Sequence, residues 1–279
     1  MEQIQKANLT LRGVDAITDQ YKINMTWNNI NLQLLLGDRL VKTKKFSSHL
    51  DVGDPLKSSK IYNDSDADEL IFLNIERENR TINPVLNILK EVSKVCFMPL
   101  AVGGGVQRID DIKILFRNGA DKVILNTIVY NNYDFLKKVS QTFGKQSIVI
   151  SIDARQCSDN NNKYDLYSNC GMKKEKISLS DHLKNCENSG AGEIFINSID
   201  QDGMMSGYDI NLIDKIVKNC NLPVIACGGA GNFNHMREVF EKTNVSALAC
   251  GSLFNFGDNN PIRAKSFLKN YNLNFKIVK

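Results

Sequence analysis

Short apolar runs recur along the chain, each closed by small or polar residues and followed by a helical pattern. The clearest are Pro99-Leu-Ala-Val-Gly-Gly-Gly-Val106 and Pro223-Val-Ile-Ala-Cys-Gly-Gly-Ala-Gly231. Apolar runs of this length, bounded by turn residues, predict buried strands of a parallel sheet. The closing glycines allow a tight turn and a close approach of backbone to ligand. Backbone N–H groups at such a turn, beside a helix N-terminus, form an anion seat. A single Gly-Gly-Gly turn is also compatible with a plain strand-to-helix connection, and it is the repetition that favours the seat.

The repetition extends beyond the glycines. Asn118-Gly-Ala-Asp-Lys-Val-Ile-Leu-Asn-Thr127 follows the first run, and Asn244-Val-Ser-Ala-Leu-Ala-Cys-Gly-Ser252 follows the second. The two prolines are 124 positions apart (223 − 99), as are Glu69 and Glu193 (193 − 69) in the matching runs Asp68-Glu-Leu-Ile-Phe-Leu-Asn-Ile75 and Gly192-Glu-Ile-Phe-Ile-Asn-Ser-Ile199. Leu32–Leu36 pairs with Ile148–Asp153 at a similar offset. Four strand–helix units are thus written twice.

Twice four units predict a (β/α)8 TIM barrel with an internal half-barrel repeat, and the length suits one such domain. Sites in this fold lie at the carboxyl ends of the strands. The glycine turns close the third and seventh strands, so two anion seats face each other across one barrel mouth. A ligand with a phosphate at each end would occupy both.

Composition narrows the picture. With 42% apolar and 24% charged residues the chain can fill an ordinary globular core. A net charge of +4 is too small to argue for nucleic acid. Seven cysteines without a Cys-x-x-Cys pair speak against a disulfide framework or zinc cluster. Cys96, Cys227 and Cys250 read as small core residues in a reducing cytoplasm. His49, His182 and His235 are scattered without metal-ligand spacing. No metal or cofactor is implied, and no run approaches a membrane helix. Residues 1–24 are polar, have no repeat counterpart and lack an apolar signal core. They are either a surface extension or sequence upstream of a natural start at Met25, which leaves 25–279 as the single barrel domain.

The first strand is expected near Asn31–Leu36, turning at Gly37-Asp38 and running back through Arg39–Phe46. Lys42 either meets a phosphate at the mouth or is a solvated lysine beside Lys44 and Lys45. In Val52-Gly-Asp-Pro55 the proline opens the first helix.

An ordered set of stretches resembles the cyclase subunit of imidazole glycerol phosphate synthase. They are Val52-Gly-Asp-Pro55, Ala67-Asp-Glu-Leu70, Val102-Gly-Gly-Gly105, Gly119-Ala-Asp-Lys-Val123, Asn126-Thr127, Ser151-Ile-Asp-Ala154, Gly190-Ala-Gly-Glu193, Asp200-Gln-Asp-Gly203, Gly207-Tyr-Asp209 and Cys227-Gly-Gly-Ala-Gly231. The match runs from residue 30 to about 258. It implies a (β/α)8 barrel, a glutaminase partner docked at the amino-terminal face as a heterodimer, ammonia passed through the barrel and a bis-phosphorylated substrate. Carried over by position, one phosphate seat falls on Gly105, Asn126 and Thr127. The other falls on Asp202, Gly203, Gly229, Gly251 and Ser252. The acid/base aspartate ending the fifth strand falls on Asp153, where tuning by burial would let it exchange protons. The family's floor of an arginine, two glutamates and a lysine falls on Asn28, Glu69, Glu193 and Lys122. Lys122 is expected between the two glutamates as an ammonia gate, which without the arginine is either looser or recruits another cation such as Arg39 or a residue of the polar extension, with Asp121 facing the glutaminase.

The departures matter as much. The family's second acid/base aspartate, on the first strand, is Leu34 here, and an acid ending the second strand is Asn74. Leucine cannot move a proton. Lys42-Thr-Lys-Lys-Phe46 and Asp202-Gly-Met-Met-Ser-Gly-Tyr-Asp209 resemble a branch of the family associated with surface polysaccharide biosynthesis, which works with a glutaminase and a separate sugar amidotransferase. Two functions follow as expectations: an ammonia-handling barrel for sugar amidation, or a genuine cyclase–lyase of histidine biosynthesis. The sister isomerase of that pathway shares the barrel and both glycine turns but fits Gly190–Glu193 and Asp202–Asp209 less well.

Overall fold

A computed structural model describes residues 27–273 and Phe275. Eight parallel strands close into a barrel: β1 (Asn28–Leu36), β4 (Glu69–Asn74), β5 (Leu100–Gly103), β6 (Lys122–Leu125), β7 (Ile148–Cys157), β10 (Glu193–Ser198), β11 (Val224–Cys227) and β12 (Ala247–Cys250). The order runs β10-β11-β12-β1-β4-β5-β6-β7, and pairing of β10 with β7 completes the ring. β1 and β7 therefore stand diametrically opposite.

Two antiparallel ribbons extend the mouth, one after each of these strands. β2 (Arg39–Thr43) and β3 (His49–Gly53) follow β1, and β8 (Asn160–Ser168) and β9 (Lys173–Lys174) follow β7. The half-barrel repeat is thus visible in the decoration as well as in the barrel.

Helices of nine to eleven residues cover the outside. α1 (Pro55–Asp64) begins where Pro55 fixes the backbone at its first position and the Asp54 carboxylate accepts from Lys57 N at 2.8 Å. α2 (Asn83–Val92), α3 (Ile109–Arg117), α4 (Thr127–Asn131), α5 (Tyr133–Phe143) and α6 (Leu179–Asn188) follow. α7 (Ile210–Asn219), α8 (Phe233–Lys242), α9 (Ser252–Asn255) and α10 (Pro261–Lys269) complete the layer. Side-chain caps from Ser178, Asp209, Asn232 and Asn260 satisfy the first turns of α6, α7, α8 and α10.

Alternation along the strands makes two cores. Ile30, Leu32, Leu34, Ile71, Ala101, Ile124, Val149, Phe195 and Ile225 fill the barrel. Leu35, Leu70, Phe72, Val102, Val123, Ile150, Ile196 and Leu248 pack outward among the helices. The first strand begins three residues earlier than the hydrophobic pattern alone suggests. Asn28 and Asn29 already pair with Ala247 and Leu248 of β12, because the ring must close there.

Candidate functional site

The carboxyl ends of the strands surround a cavity of about 1030 Å³. Gly105, Asn126, Thr127 and Asp153, assigned from sequence to one phosphate seat and to proton transfer, all line it, together with Leu34 and Asn74. Asp153 lies within β7 and points inward, and it is 8% exposed. Asn126 Nδ2 donates to Asp153 Oδ2 at 3.1 Å and to the Ser151 carbonyl at 3.1 Å. Burial pushes the Asp153 carboxyl group up to about 7; the charge of Asp202 adds to the shift, and Arg80 and Asn126 oppose it. A carboxyl group poised there can take or give a proton near neutrality.

The glycine at 105 is required by the protein itself. Its φ is +89°, and a Cβ would stand 2.3 Å from the Thr81 carbonyl. Thr127 Oγ1 accepts from Asn169 N at 3.0 Å, tying the first seat to the loop after β8.

The second group also assembles. Lys42, Asp202, Gly203, Gly229, Gly251 and Ser252 surround a pocket of only about 30 Å³, with Leu34 between this pocket and the large one. That is room for one or two water molecules. Lys42 is 5% exposed, which rules out the solvated lysine. Its ammonium donates to the Leu32 carbonyl and lies beside Gly251. Burial pulls it down to about 8, against the opposing influence of Cys227 and Asp202.

One oxygen of the Asp202 carboxylate, Oδ2, is engaged by the protein. It accepts from Thr43 Oγ1 at 2.6 Å and Phe46 N at 3.1 Å, which pins the β2–β3 turn over the mouth. Gly229 has φ +106°, and its Cβ would stand 1.9 Å from the Gly207 carbonyl. Met205 lines the small pocket, whereas Met204 is 42% exposed.

At the opposite end, Lys122 Nζ lies between Glu69 Oε2 at 2.8 Å and Glu193 Oε1 at 2.9 Å. The three belong to the starts of β4, β6 and β10 and share the inward phase of those strands. Burial raises the Glu69 carboxyl group, while the Lys122 charge works the other way. Asn28 is exposed. Arg39 does not replace the missing floor cation. It follows the carboxyl end of β1 and pairs with Asp51 at 2.8 Å, because the chain has already crossed the barrel before reaching it. The polar extension lies outside the described residues. Asp121 is exposed, and its Oδ2 accepts from Leu100 N at 2.8 Å.

The structure gives Asn74 a place and adds Arg77, Arg80 and Asn197, which sequence reasoning missed. Asn74 donates to the Thr81 carbonyl at 2.9 Å and accepts from Glu76 N at 2.9 Å, so it braces the loop that carries Arg77 and Arg80 into the cavity. Arg80 meets Cys170 and Asn169 there. No periodic signal marks these loop residues. Asn197 also faces the cavity, and it was legible: it lies four residues beyond Glu193, hence on the same inward face.

Among the described residues, no group of three His, Cys, Asp or Glu side chains could hold a metal ion, and no helix is long and apolar enough to cross a membrane.

The family model described as "Histidine biosynthesis protein" matches residues 37–260. The imidazole glycerol phosphate synthase subunit HisF of Bacillus cereus (strain AH187) is 37% identical over 239 residues, covering 86% of this chain and 94% of that protein. Its counterpart in Hydrogenobaculum sp. (strain Y04AAS1) is 38% identical over 239 residues, with the same coverage of 86% and 94%. HisF of Staphylococcus saprophyticus is 40% identical over 205 residues, covering 74% of this chain and 81% of that protein. With its closed barrel and paired glycine turns, the chain belongs to the histidine biosynthesis protein family, among the HisF-type subunits of imidazole glycerol phosphate synthase.

Proposed function

We propose that this barrel receives ammonia from a glutaminase docked at its amino-terminal face and delivers it at the mouth for amidation of a sugar in surface polysaccharide biosynthesis, with little cyclase turnover of its own. The observation that carries this reading is Leu34. Its side chain stands between the two cavities, on the strand opposite Asp153, where the resemblance calls for the partner acid. Chemistry that needs protons moved from two opposite strands finds a carboxyl group on one of them, Asp153, and an isobutyl group on the other. The Lys122 triad supports the conduit part. A cation held by two carboxylates closes the floor with polar groups, and exchange of those contacts would admit a small polar molecule.

The pathway is tested by affinity capture of the tagged full chain from its own cells, followed by mass spectrometry. A glutaminase together with a sugar-modifying enzyme is the expected catch. Recovery of a glutaminase alone, combined with an ordinary cyclase rate when ammonium and the histidine-pathway intermediate are supplied, would overturn the proposal. That second reading, a cyclase–lyase of histidine biosynthesis, is favoured by the Asp153 carboxyl group near 7 and by the names of the relatives.

A further inference from the structure

Two guanidinium groups enter the large cavity without a carboxylate to meet them. Arg77 and Arg80 ride on the loop between β4 and α2 and line the cavity. Arg77 donates to the Phe46 carbonyl, and Arg80 donates to the Cys170 sulfur and, at 3.0 Å, to Asn169 Oδ1. Neither forms an ion pair among the described residues. Glu76 and Glu78 share the loop, but Glu76 is turned back onto Asn74 at 3.4 Å. Burial pushes the Cys170 thiol up, and the charges that act on it are those of Arg80, Asp153 and Arg77, with no glutamate among them. A guanidinium held only by neutral groups keeps its charge and its remaining N–H donors for an anion.

Arg80 is fixed at the corner of the first glycine turn. The Thr81 carbonyl lies against Gly105, and Gln107 Nε2 donates to the Arg80 carbonyl at 3.2 Å. Asn169, which takes the guanidinium through its Oδ1, gives its own N–H to Thr127 Oγ1 at 3.0 Å. The arginine thus spans from the turn after β5 to the residue after β6. An anion in this corner is met from several sides, which suits a tetrahedral phosphate better than a planar carboxylate.

The other half of the barrel is built differently at the corresponding place. The loop over residues 199–209, after β10, carries Asp200, Asp202 and Asp209 and no arginine or lysine. The cation of the second seat, Lys42, donates to the Leu32 carbonyl and shares its pocket with Asp202. Leu34 and Met205 add apolar bulk to the same lining. The pocket has about 30 Å³, room for one or two waters but not for phosphorus with its shell of oxygens.

We propose that the mouth takes a ligand with a single phosphate group, gripped by Arg80 at the Gly105–Thr127 corner with Arg77 adding positive charge, and that the ligand's other end, toward Lys42 and Asp202, carries none. The assignment deepens the ammonia-delivery reading above and rests on it in taking the mouth as the working site.

The probe is inorganic phosphate, titrated into the isolated full-length chain by calorimetry and located in phosphate-soaked crystals. The solution is held at pH 7 and low salt, where Lys42, pulled down to about 8, is still largely charged. The expected result is one phosphate per chain, at Arg80. Arg80→Met should weaken binding about tenfold, the loss of one hydrogen bond between charged groups. Arg80→Lys, which keeps the charge without the fork, should lie in between and decides the matter if the methionine variant does not fold. Lys42→Met should bind within about twofold of the unmodified chain, since the second seat takes no phosphate. Asn169→Gly suits the left-handed backbone there, φ 51°, and removes the oxygen that Arg80 holds. It too should stay within about twofold. No saturable binding, a second phosphate beside Lys42, or a loss in Lys42→Met as large as that in Arg80→Met would overturn the assignment. So would equal losses in Asn169→Gly and Arg80→Met, which would make the arginine a loop brace. None of these measurements involves a glutaminase. A failed capture experiment would therefore sink the delivery reading while the phosphate corner stood, and a failed titration would remove the corner while the captured partners stood.

Discussion

Strand β1 turns Ile30, Leu32, Leu34 and Leu36 into the barrel and leaves Asn29, Asn31 and Gln33 on its outer face. Strand β7, its repeat-mate, does the reverse: Val149, Ser151 and Asp153 face in, and Ile148, Ile150, Ile152 and Ala154 pack outward. Both strands are buried on both faces, and both begin a half-barrel with an antiparallel ribbon at its end. The same architecture thus tolerates opposite polarity in its two founding strands. What the inversion changes is chemistry. The β7 side presents a titratable carboxyl group to the mouth, and the β1 side presents leucine.

The cost of the inversion is visible on the outer face of β1. Gln33 Nε2 bonds Asn31 Oδ1, but Asn29 Nδ2 and Oδ1, Asn31 Nδ2 and Gln33 Oε1 are buried without protein partners. Such groups are destabilising unless ordered water meets them. The two anion seats are unequal as well: the Gly105 side opens into about 1030 Å³, and the Gly229 side keeps about 30 Å³.

The inversion can be undone first at the site of chemistry. With ammonium and the histidine-pathway intermediate, the unmodified chain should show very low cyclase turnover, and Leu34→Asp should raise it by ~10²-fold, the lower end of what a positioned acid/base contributes. Asp153→Asn should abolish that gain. A normal rate in the unmodified chain would show that one carboxyl group suffices and that the contrast between the strands is chemically idle.

The second effect is on stability against pH. Asp153 has its folded-state value raised from 3.8 to about 7, so the folded chain holds a proton that the unfolded chain releases. This favours folding below pH 4, and the advantage is lost as the pH rises through 7. Over that window the wild type should lose up to about 4 kcal/mol relative to Asp153→Asn, as measured by urea unfolding at fixed pH steps. No titration at position 34 adds a matching term from β1. Parallel curves for the two proteins would mean that Asp153 ionises freely in the fold.

The outer faces give the third and fourth tests. Ile150→Asn should destabilise by about 3 kcal/mol, because it removes an apolar side chain and buries an unpaired amide. Asn29→Leu should go the other way by about 1 kcal/mol, since a buried amide with both its donor and its acceptor unmet is exchanged for apolar packing of similar volume. Thermal melts of the two single variants would decide this. If Asn29→Leu were as damaging as Ile150→Asn, the amide ladder on β1 would be a satisfied network and not a tolerated defect.

Much of this molecule was present in the order of its residues. The apolar runs, the glycines that close them and their recurrence 124 positions later fixed eight strands and a closed barrel, because short buried strands alternating with amphipathic helices have few other ways to hide both faces. The family resemblance picked out Glu69, Lys122 and Glu193 at the strand starts, and the same alternation turns all three inward. Tertiary structure decided what periodicity cannot express. Loop closure brought Arg77 and Arg80 into the mouth and turned Asp202 toward Thr43 and Phe46. The direction of β1 carried Arg39 away from the floor. Depth of burial moved Lys42 and Asp153 toward neutrality, and the meeting of β7 with β10 set Asn197 in register with Asp153. A side chain's face is a local property of strand and helix, whereas its solvation and its partners depend on residues far away in the chain, and only the folded barrel brings them together.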